Sequence, residues 1–318
     1  MRERIVDRNH VIECIAERFL QAGYRAADAE ITARHLVLAD VAGYGSHGLR
    51  LVPAYLDELR RGLVDPRAAV ELLSQENVLL QFDAHDSPGH PALAKVVDRC
   101  ADVVREHGTA LAWVRGLRHT GRLAEYLWRV VDRGMCGMLT VTSALDEHSA
   151  LVAPPGSATR LLGSNPLAIG VSDGDGVRAV YDGSTAATPF YEVARRRSAG
   201  LPLDRPDVVD DAGRPTTDPD AFFADGAIRP FGGVRGFGLS TALAMLSQVH
   251  TAANERGRTN AFVVVFGAGA SLAGIADQLR EAGCYLPGSR RQEVIGETTI
   301  RIDADTALLL AESGVHLE

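Results

Sequence analysis

The chain has 318 residues, of which 46% are hydrophobic and 23% charged. This is ordinary globular usage, and the length allows a large core without staples and two domains, or one core with an added lobe. The net charge is −8, from 41 acidic residues against 33 Lys and Arg, which argues against a nucleic-acid partner, whose phosphates call for a basic footprint.

The N-terminal part reads as helical. Val11, Ile15, Phe19 and Leu20 recur at helical spacing before Gly23. Ile31, Leu38 and Val41 mark a second helix, ended by Gly43-Tyr44-Gly45. A third carries Leu56 and Leu59, with Pro53 in its first turn, where no helical amide partner is lost, and Gly62 past its end. The middle then alternates. Strands are expected at 78–82, 109–114, 137–142, 168–171 and 177–181, and helices at 93–107 and 123–132. Residues 195–226 lack apolar periodicity and hold Arg195-Arg196-Arg197, several prolines and turn residues, so they read as a long surface excursion ordered by contact. Helices at 239–249, 275–282 and 305–312 and a buried strand at 261–266 complete the chain, with no internal repeat.

The four cysteines, Cys14, Cys100, Cys136 and Cys284, form no C-x-x-C pair, so neither a zinc ribbon nor a thioredoxin-type motif is expected. Sparse thiols suit a reducing compartment. No apolar signal core follows Met1-Arg2-Glu3-Arg4, and no apolar run is long enough to span a bilayer. The expectation is a soluble cytoplasmic protein.

Several motifs bear on chemistry. Gly267-Ala268-Gly269-Ala270-Ser271-Leu272 follows a strand and precedes a helix, as a dinucleotide fingerprint does, but Leu272 replaces the third glycine. Too little chain follows for repeated βαβ units, so a tight turn is the better reading. Gly45-Ser46-His47-Gly48-Leu49-Arg50 sets a histidine and an arginine three residues apart. Arginine grips carboxylates through two parallel hydrogen bonds, and histidine trades protons near neutral pH. These are the two functions a 2-oxo or 2-hydroxy acid demands; the alternative is a helix-capping Ser46 with a surface His and Arg. Arg118-His119-Thr120-Gly121-Arg122 joins a strand to a helix, placing His119 at a strand end or in an ordinary connecting loop. The glycine-rich run 230–239 around Arg235 opens a helix and reads as an anion site or as a closely packed turn. Asp83, His85, Asp86 and His90 lack ligand spacing and read as a polar turn, so no metal is expected. Tyr44-Gly45-Ser46-His47-Gly48 is a near miss of a nucleophile elbow, with a helix rather than a strand before it. The arginine run at 195–197 reads as a solvated charged face, with a 2′-phosphate contact as the alternative.

Taken in order, Ala39-Asp40, Ser46-His47-Gly48, Tyr55, His119-Thr120-Gly121-Arg122-Leu123, Leu162-Gly163-Ser164-Asn165-Pro166, the stretch 210–219, the loop around Arg235 and Pro287-Gly288-Ser289 resemble the type 2 malate/L-lactate dehydrogenase family. That family includes ureidoglycolate, sulfolactate and diketogulonate enzymes and reductases of cyclic ketimines such as piperideine-2-carboxylate. The resemblance implies an α/β fold of the α+β type that is not Rossmann. It has a largely antiparallel cofactor-domain sheet (76–297) and a helical domain from both chain ends (1–75 with 298–318), and it forms a homodimer.

The resemblance also implies NAD or NADP as cofactor and hydride transfer at C2 of a small 2-oxo or 2-hydroxy carboxylate. A proton comes from His47 or His119. Arg50 takes the substrate carboxylate, with Ser46 and Thr120 also on substrate. Ser143, Gly163, Ser164, Asn165, Asp182, Gly183, Ser184, Arg235, Gly288 and Ser289 are implied at the cofactor. A cyclic-imine reductase is the alternative within the fold. The family's Asp-Met-Ala-Thr-Ser reads Asp182-Gly183-Ser184-Thr185-Ala186 here, and this departure leaves open a repurposed, non-redox lyase or isomerase on the same scaffold.

Overall fold

The computed structural model describes residues 4–143, 150–251, 258–289, 291 and 295–317. Its centre is a seven-stranded sheet in the order β2 (Glu71–Glu76), β3 (Leu79–Asp83), β4 (Thr109–Leu117), β11 (Thr259–Gly267), β5 (Met135–Ser143), β6 (Leu167–Ser172) and β7 (Arg178–Gly183). Only the β3–β4 pairing is parallel; the other five are antiparallel. The expected non-Rossmann, largely antiparallel sheet is therefore present.

Strand alternation divides the sheet's two faces. Ala110, Ala112 and Val114 on β4, with Val263 and Val265 on β11, join the main core with α4 (Gly89–His107) and α5 (Ala124–Val131). Trp113 points the other way and donates through Nε1 to the Leu246 carbonyl of α8 (Val234–Gln248). The hydroxyls of Thr142 on β5 and Ser247 on α8 share a hydrogen bond on that same side. The sheet is thus covered on both faces, and the loop that carries His119 leaves it at the end of β4.

A second core belongs to both chain ends. Val11, Ile15 and Phe19 of α1 (Arg8–Gln21) and Ala33, Leu36 and Val37 of α2 (Ala26–Val41) pack with Ile300, Ile302 and Leu310. Asp7 caps α1 by accepting from the His10 amide. Strand β1 (Arg4–Asp7) pairs antiparallel with β12 (Thr299–Ile302), and α10 (Ala304–Glu312) follows directly. These short strands carry too little alternation to be read from sequence.

The excursion at 195–226 is a small lobe rather than a loop. It contains the end of α6 (Phe190–Ser198), strands β8 (Val208–Val209) and β9 (Pro215–Thr216) and the short helix α7 (Asp220–Phe223), and β10 (Ala227–Ile228) completes a three-stranded sheet. Val152, Leu162, Val193, Leu203, Val208, Phe222 and Ile228 form its core. The three arginines of α6 are engaged with carboxylates: Arg195 and Arg196 with Glu192, Arg196 also with Asp204, and Arg197 with Asp220.

Two helices begin earlier than the periodicity suggests. Helix α4 starts at Gly89, because His90 and Pro91 fit a first turn, where proline is tolerated. Helix α8 starts at Val234, so Arg235 lies in its first turn rather than in a preceding loop. The Gly267–Leu272 segment is a connection from β11 to α9 (Ala273–Glu281), with the Leu272 amide bound by Asp173. Among the described residues no helix is long and apolar enough to cross a membrane.

Candidate active site

The two histidines singled out in sequence stand together. Their rings are stacked with centroids 6.1 Å apart. His47 comes from the tight turn after α2, and its Nδ1 lies 2.9 Å from the Ser46 hydroxyl. Ser46 therefore serves its neighbour rather than capping a helix. The turn is held from behind by Asp40 of α2, which accepts the Leu49 amide at 2.5 Å. His119 follows β4. Its Nδ1 lies 2.5 Å from the hydroxyl of Tyr55, on α3 (Val52–Arg60).

Behind this pair lie two buried imidazoles, His35 on α2 and His90 on α4, with ring centroids 4.5 Å apart. His90 also stands edge-on to Tyr55 at 5.4 Å and to His119 at 6.4 Å. They shape the loop that carries His119. The Arg122 amide donates to His35 Nε2 at 2.9 Å, and the Tyr126 hydroxyl donates to the Thr120 carbonyl. Gly121 has φ +68, and a Cβ there would stand 2.5 Å from His90 Nε2 and 2.7 Å from His35 Nε2. Only glycine fits that left-handed, crowded position. Gly89 packs on the Arg118 and His119 carbonyls, so α4 supports the loop as well.

The electrostatics favour neutral imidazoles. Burial, with His47 as a second cause, pushes His119 down to about 4. His47 is lowered by burial and by the Arg122 guanidinium. His35 is pushed down to about 3, first by burial. His119 differs from His35 and His90 in being exposed. Solvent reaches the residue, while the surrounding protein displaces much of the bulk water that would stabilise its charge. Tyr55, buried and held well above its usual range, stays a phenol. With Nδ1 committed to Tyr55, Nε2 is the nitrogen left to exchange a proton with a ligand.

Arg122 is the residue that sequence reading underused. Its side chain is 8% exposed and pairs with Glu125 at 3.1 Å. It reaches toward Asp182 at 4.0 Å, and its guanidinium lies 3.9 Å over the Tyr44 ring. Arg122 thereby links the histidine loop to Asp182, which accepts the Ala124 amide at the start of α5. Burial raises the Asp182 carboxyl, while the Ala124 amide and Arg122 oppose the shift. Thr120 is buried, and Arg50 forms an ion pair with Asp303. Tyr55 and Arg122 were named in sequence only among the residues and motifs that carry the resemblance, and His35 not at all, since what Tyr55 and His35 do rests on contacts with distant segments.

The residues implied at the cofactor form two further groups. Ser164 accepts through its carbonyl from the Ser184 hydroxyl and from the Thr185 amide and hydroxyl. Asn165, at φ +34, donates to the Ser240 carbonyl and hydroxyl of α8. Its Oδ1 is buried without a hydrogen-bond partner among the described residues. A Cβ at Gly163 would stand 2.9 Å from the Ser143 hydroxyl, which places Ser143 in the same group. Gly183 follows Asp182 at the end of β7, beside the Tyr181 ring. Gly288, at φ +79, presses against Trp128 and the Val180 carbonyl, and so docks the 287–289 segment beside β7. Arg235 is exposed on the first turn of α8. The Asp83–His90 stretch is used otherwise: Asp83 accepts the His85 amide, and Asp86 pairs with Arg118 and Arg258.

Comparison with known proteins places this arrangement. Residues 6–263 match the family described as Malate/L-lactate dehydrogenase. A (2R)-3-sulfolactate dehydrogenase (NADP(+)) from Chromohalobacter salexigens is 32% identical over 238 residues, 74% of this chain and 69% of that protein. The solved delta1-piperideine-2-carboxylate reductase from Pseudomonas syringae superposes with a TM-score of 0.85 at 26% identity, covering 98% of this chain and 99% of that one. Malate dehydrogenase from Entamoeba histolytica shares the fold with a TM-score of 0.88 at 18% identity, over 99% of both chains. These matches bear out the expected oxidoreductase class and its use of NAD or NADP. The chain belongs to the malate/L-lactate dehydrogenase family.

Proposed function

We propose that this protein transfers hydride between a nicotinamide cofactor and C2 of a small 2-oxo or 2-hydroxy carboxylic acid, with His119 exchanging the proton. The observation that carries the reading is His119 itself: an exposed imidazole, bound at Nδ1 by a buried phenol, with a second imidazole stacked against it. A proton taken by Nε2 during oxidation, or given by it during reduction, leaves the Nδ1–Tyr55 bond in place. Proton transfer of this kind typically contributes about 10²–10⁴-fold.

Bound NAD(P)H supplies the hydride, and the protein supplies geometry and electrostatics. The chain's residues fit such a group. The unpartnered Asn165 Oδ1 suits an amide donor, and we assign Ser143, Gly163, Ser164, Asp182, Gly183, Ser184, Arg235, Gly288 and Ser289 to the cofactor with it. Arg50 grips the substrate carboxylate, with Ser46 and Thr120 beside it; orienting the acid in this way contributes largely through positioning. The unit at 1–75 and 298–318 carries Arg50 and His47, and the unit at 76–297 carries His119.

The working form is a cytoplasmic homodimer. Supporting this are four unpaired cysteines and an apolar stripe along α8 and the residue after it, where Val234, Met245 and Val249 are exposed and a second copy would cover them. Steady-state assays with NADH and NADPH against pyruvate, oxaloacetate and piperideine-2-carboxylate test the reading. Turnover of a 2-oxo acid that His119→Ala lowers about 10²–10⁴-fold supports it. Turnover of the cyclic imine alone moves the substrate to the imine class. Turnover of none, in folded protein, sinks it.

A further inference from the structure

We propose that Asp303 is a positioning residue for substrate binding, holding the Arg50 guanidinium in place before the acid arrives. The proposal rests on the reading of Arg50 as the carboxylate ligand. Arg50 lies on the turn between His47 and α3, and Asp303 lies 253 positions further along the chain, where α10 begins. Arg50 Nη2 donates to Asp303 Oδ1 at 2.9 Å. That carboxylate is itself fixed. Oδ1 also accepts the Thr306 amide at 2.8 Å, and Oδ2 accepts the Thr306 hydroxyl at 2.8 Å. An aspartate bound through both oxygens at a helix start has no freedom to follow a moving arginine, so it sets where the arginine can be.

Among the described residues the remaining guanidinium nitrogens of Arg50 have no hydrogen-bond or ion-pair partner, and the side chain is 31% exposed. A guanidinium carries five N–H donors in a planar fork, so one carboxylate held behind leaves an edge for a second in front. Asp40 secures the other side of the same turn through the Leu49 amide. Together these contacts fix both the backbone and the side chain of Arg50. Ordering a long side chain in advance removes that cost from substrate binding, which is preorganisation in the simplest sense.

The opposite role is a competitor: Asp303 would occupy Arg50 and weaken substrate binding. The two roles predict opposite changes in KM. Asp303→Asn keeps the helix cap, since asparagine caps as well as aspartate, and removes only the charge. With whichever of pyruvate and oxaloacetate the wild type reduces faster, Asp303→Asn should raise KM about three- to tenfold, the size expected from one side chain left unordered. It should leave kcat within about twofold, because uniform binding is what is lost. Nicotinamide binding by fluorescence and the melting temperature should not change. In an Arg50→Ala background the same substitution should have no further effect on KM. Asp303→Ala, which also loses the cap, should lower the melting temperature and shows what a structural effect looks like. An unchanged KM in active Asp303→Asn overturns the proposal, and a lowered KM establishes the competitor. A wild type that binds no nicotinamide and reduces neither acid overturns the functional reading, and this proposal with it.

Discussion

The hydroxyl of Tyr55 and Nδ1 of His119, 64 positions apart in sequence, meet at 2.5 Å. The contact fixes the ring's orientation and leaves Nε2 free for the proton exchange proposed here. When His119 is protonated, Nδ1–H donates to the phenol oxygen; that same bond persists in the neutral ring that has lost its Nε2 proton. Tyr55→Phe removes this partner without changing the ring's shape. Turnover should fall about tenfold or more, in line with a lost hydrogen bond to a charged group of roughly 1.5–3 kcal/mol. A Tyr55→Phe enzyme with wild-type kcat would show that His119 needs no such anchor.

The pH dependence follows from the same ring. Free His119 titrates at about 4, below its ordinary 6.5. In the proposed reaction neutral imidazole accepts the proton when the hydroxy acid is oxidised. The oxidation kcat/KM should therefore hold from neutral pH down toward 4 and drop below it. Reduction uses the imidazolium, so its kcat/KM should fall with rising pH across the whole range above 4. Such profiles report the free enzyme. Profiles with the two directions interchanged would contradict the assignment of His119.

Stability should follow the same shifts with the sign worked through. His35 and His119 are pushed down to about 3 and 4, so the folded chain binds fewer protons than the unfolded chain between those values and 6.5. Their contribution is complete above 6.5 and is lost as pH falls from 6.5 through the folded values. His35→Leu should remove that part of the acid sensitivity. It should also cost about 1–3 kcal/mol at neutral pH, because the buried Arg122 amide loses its acceptor. Thermal melts from pH 7 to 4 compare the two; a mutant as acid-sensitive as the wild type would remove His35 from the explanation.

Gly121→Ala probes the loop geometry. The left-handed backbone at φ +68 costs a non-glycine residue roughly 1–2 kcal/mol. The added methyl would also collide with the buried His35 and His90 rings. The variant should melt lower and lose kcat, because the strain falls on the segment that carries His119. Wild-type kcat in this variant would mean that the loop can shift without moving the imidazole.

Much of this architecture was legible in the chain. Helices α4 and α5 announce themselves through apolar spacing and glycine stops at Gly108 and Gly134, and β11 through its run of valines. His47 and His119 were recognisable because each sits among glycines in a turn, and the structure brings them side by side. What escaped depends on long-range contact. Strand β2, Glu-Leu-Leu-Ser-Gln-Glu, is mostly exposed and owes its form to pairing with β3. Strands β1 and β12 span four residues each and exist only through one another. The small lobe's core draws on residues from Val152 to Ile228, too scattered to leave a period. Among site residues, Tyr55 was marked only through the resemblance, with no role attached, and His35 looks like one polar position on α2. Asp303 reads as a helix cap, which it is, and nothing in its neighbourhood points to Arg50.

The central claim is that this chain works with a nicotinamide cofactor. Titration of NADH and of NADPH into purified protein, followed by nicotinamide fluorescence, tests it most directly. The account predicts saturable binding of at least one of them, weakened by Asn165→Leu, which removes the unpartnered buried acceptor. Well-folded protein that binds neither would contradict it and would leave His119 and Arg50 as parts of a carboxylate site without redox chemistry.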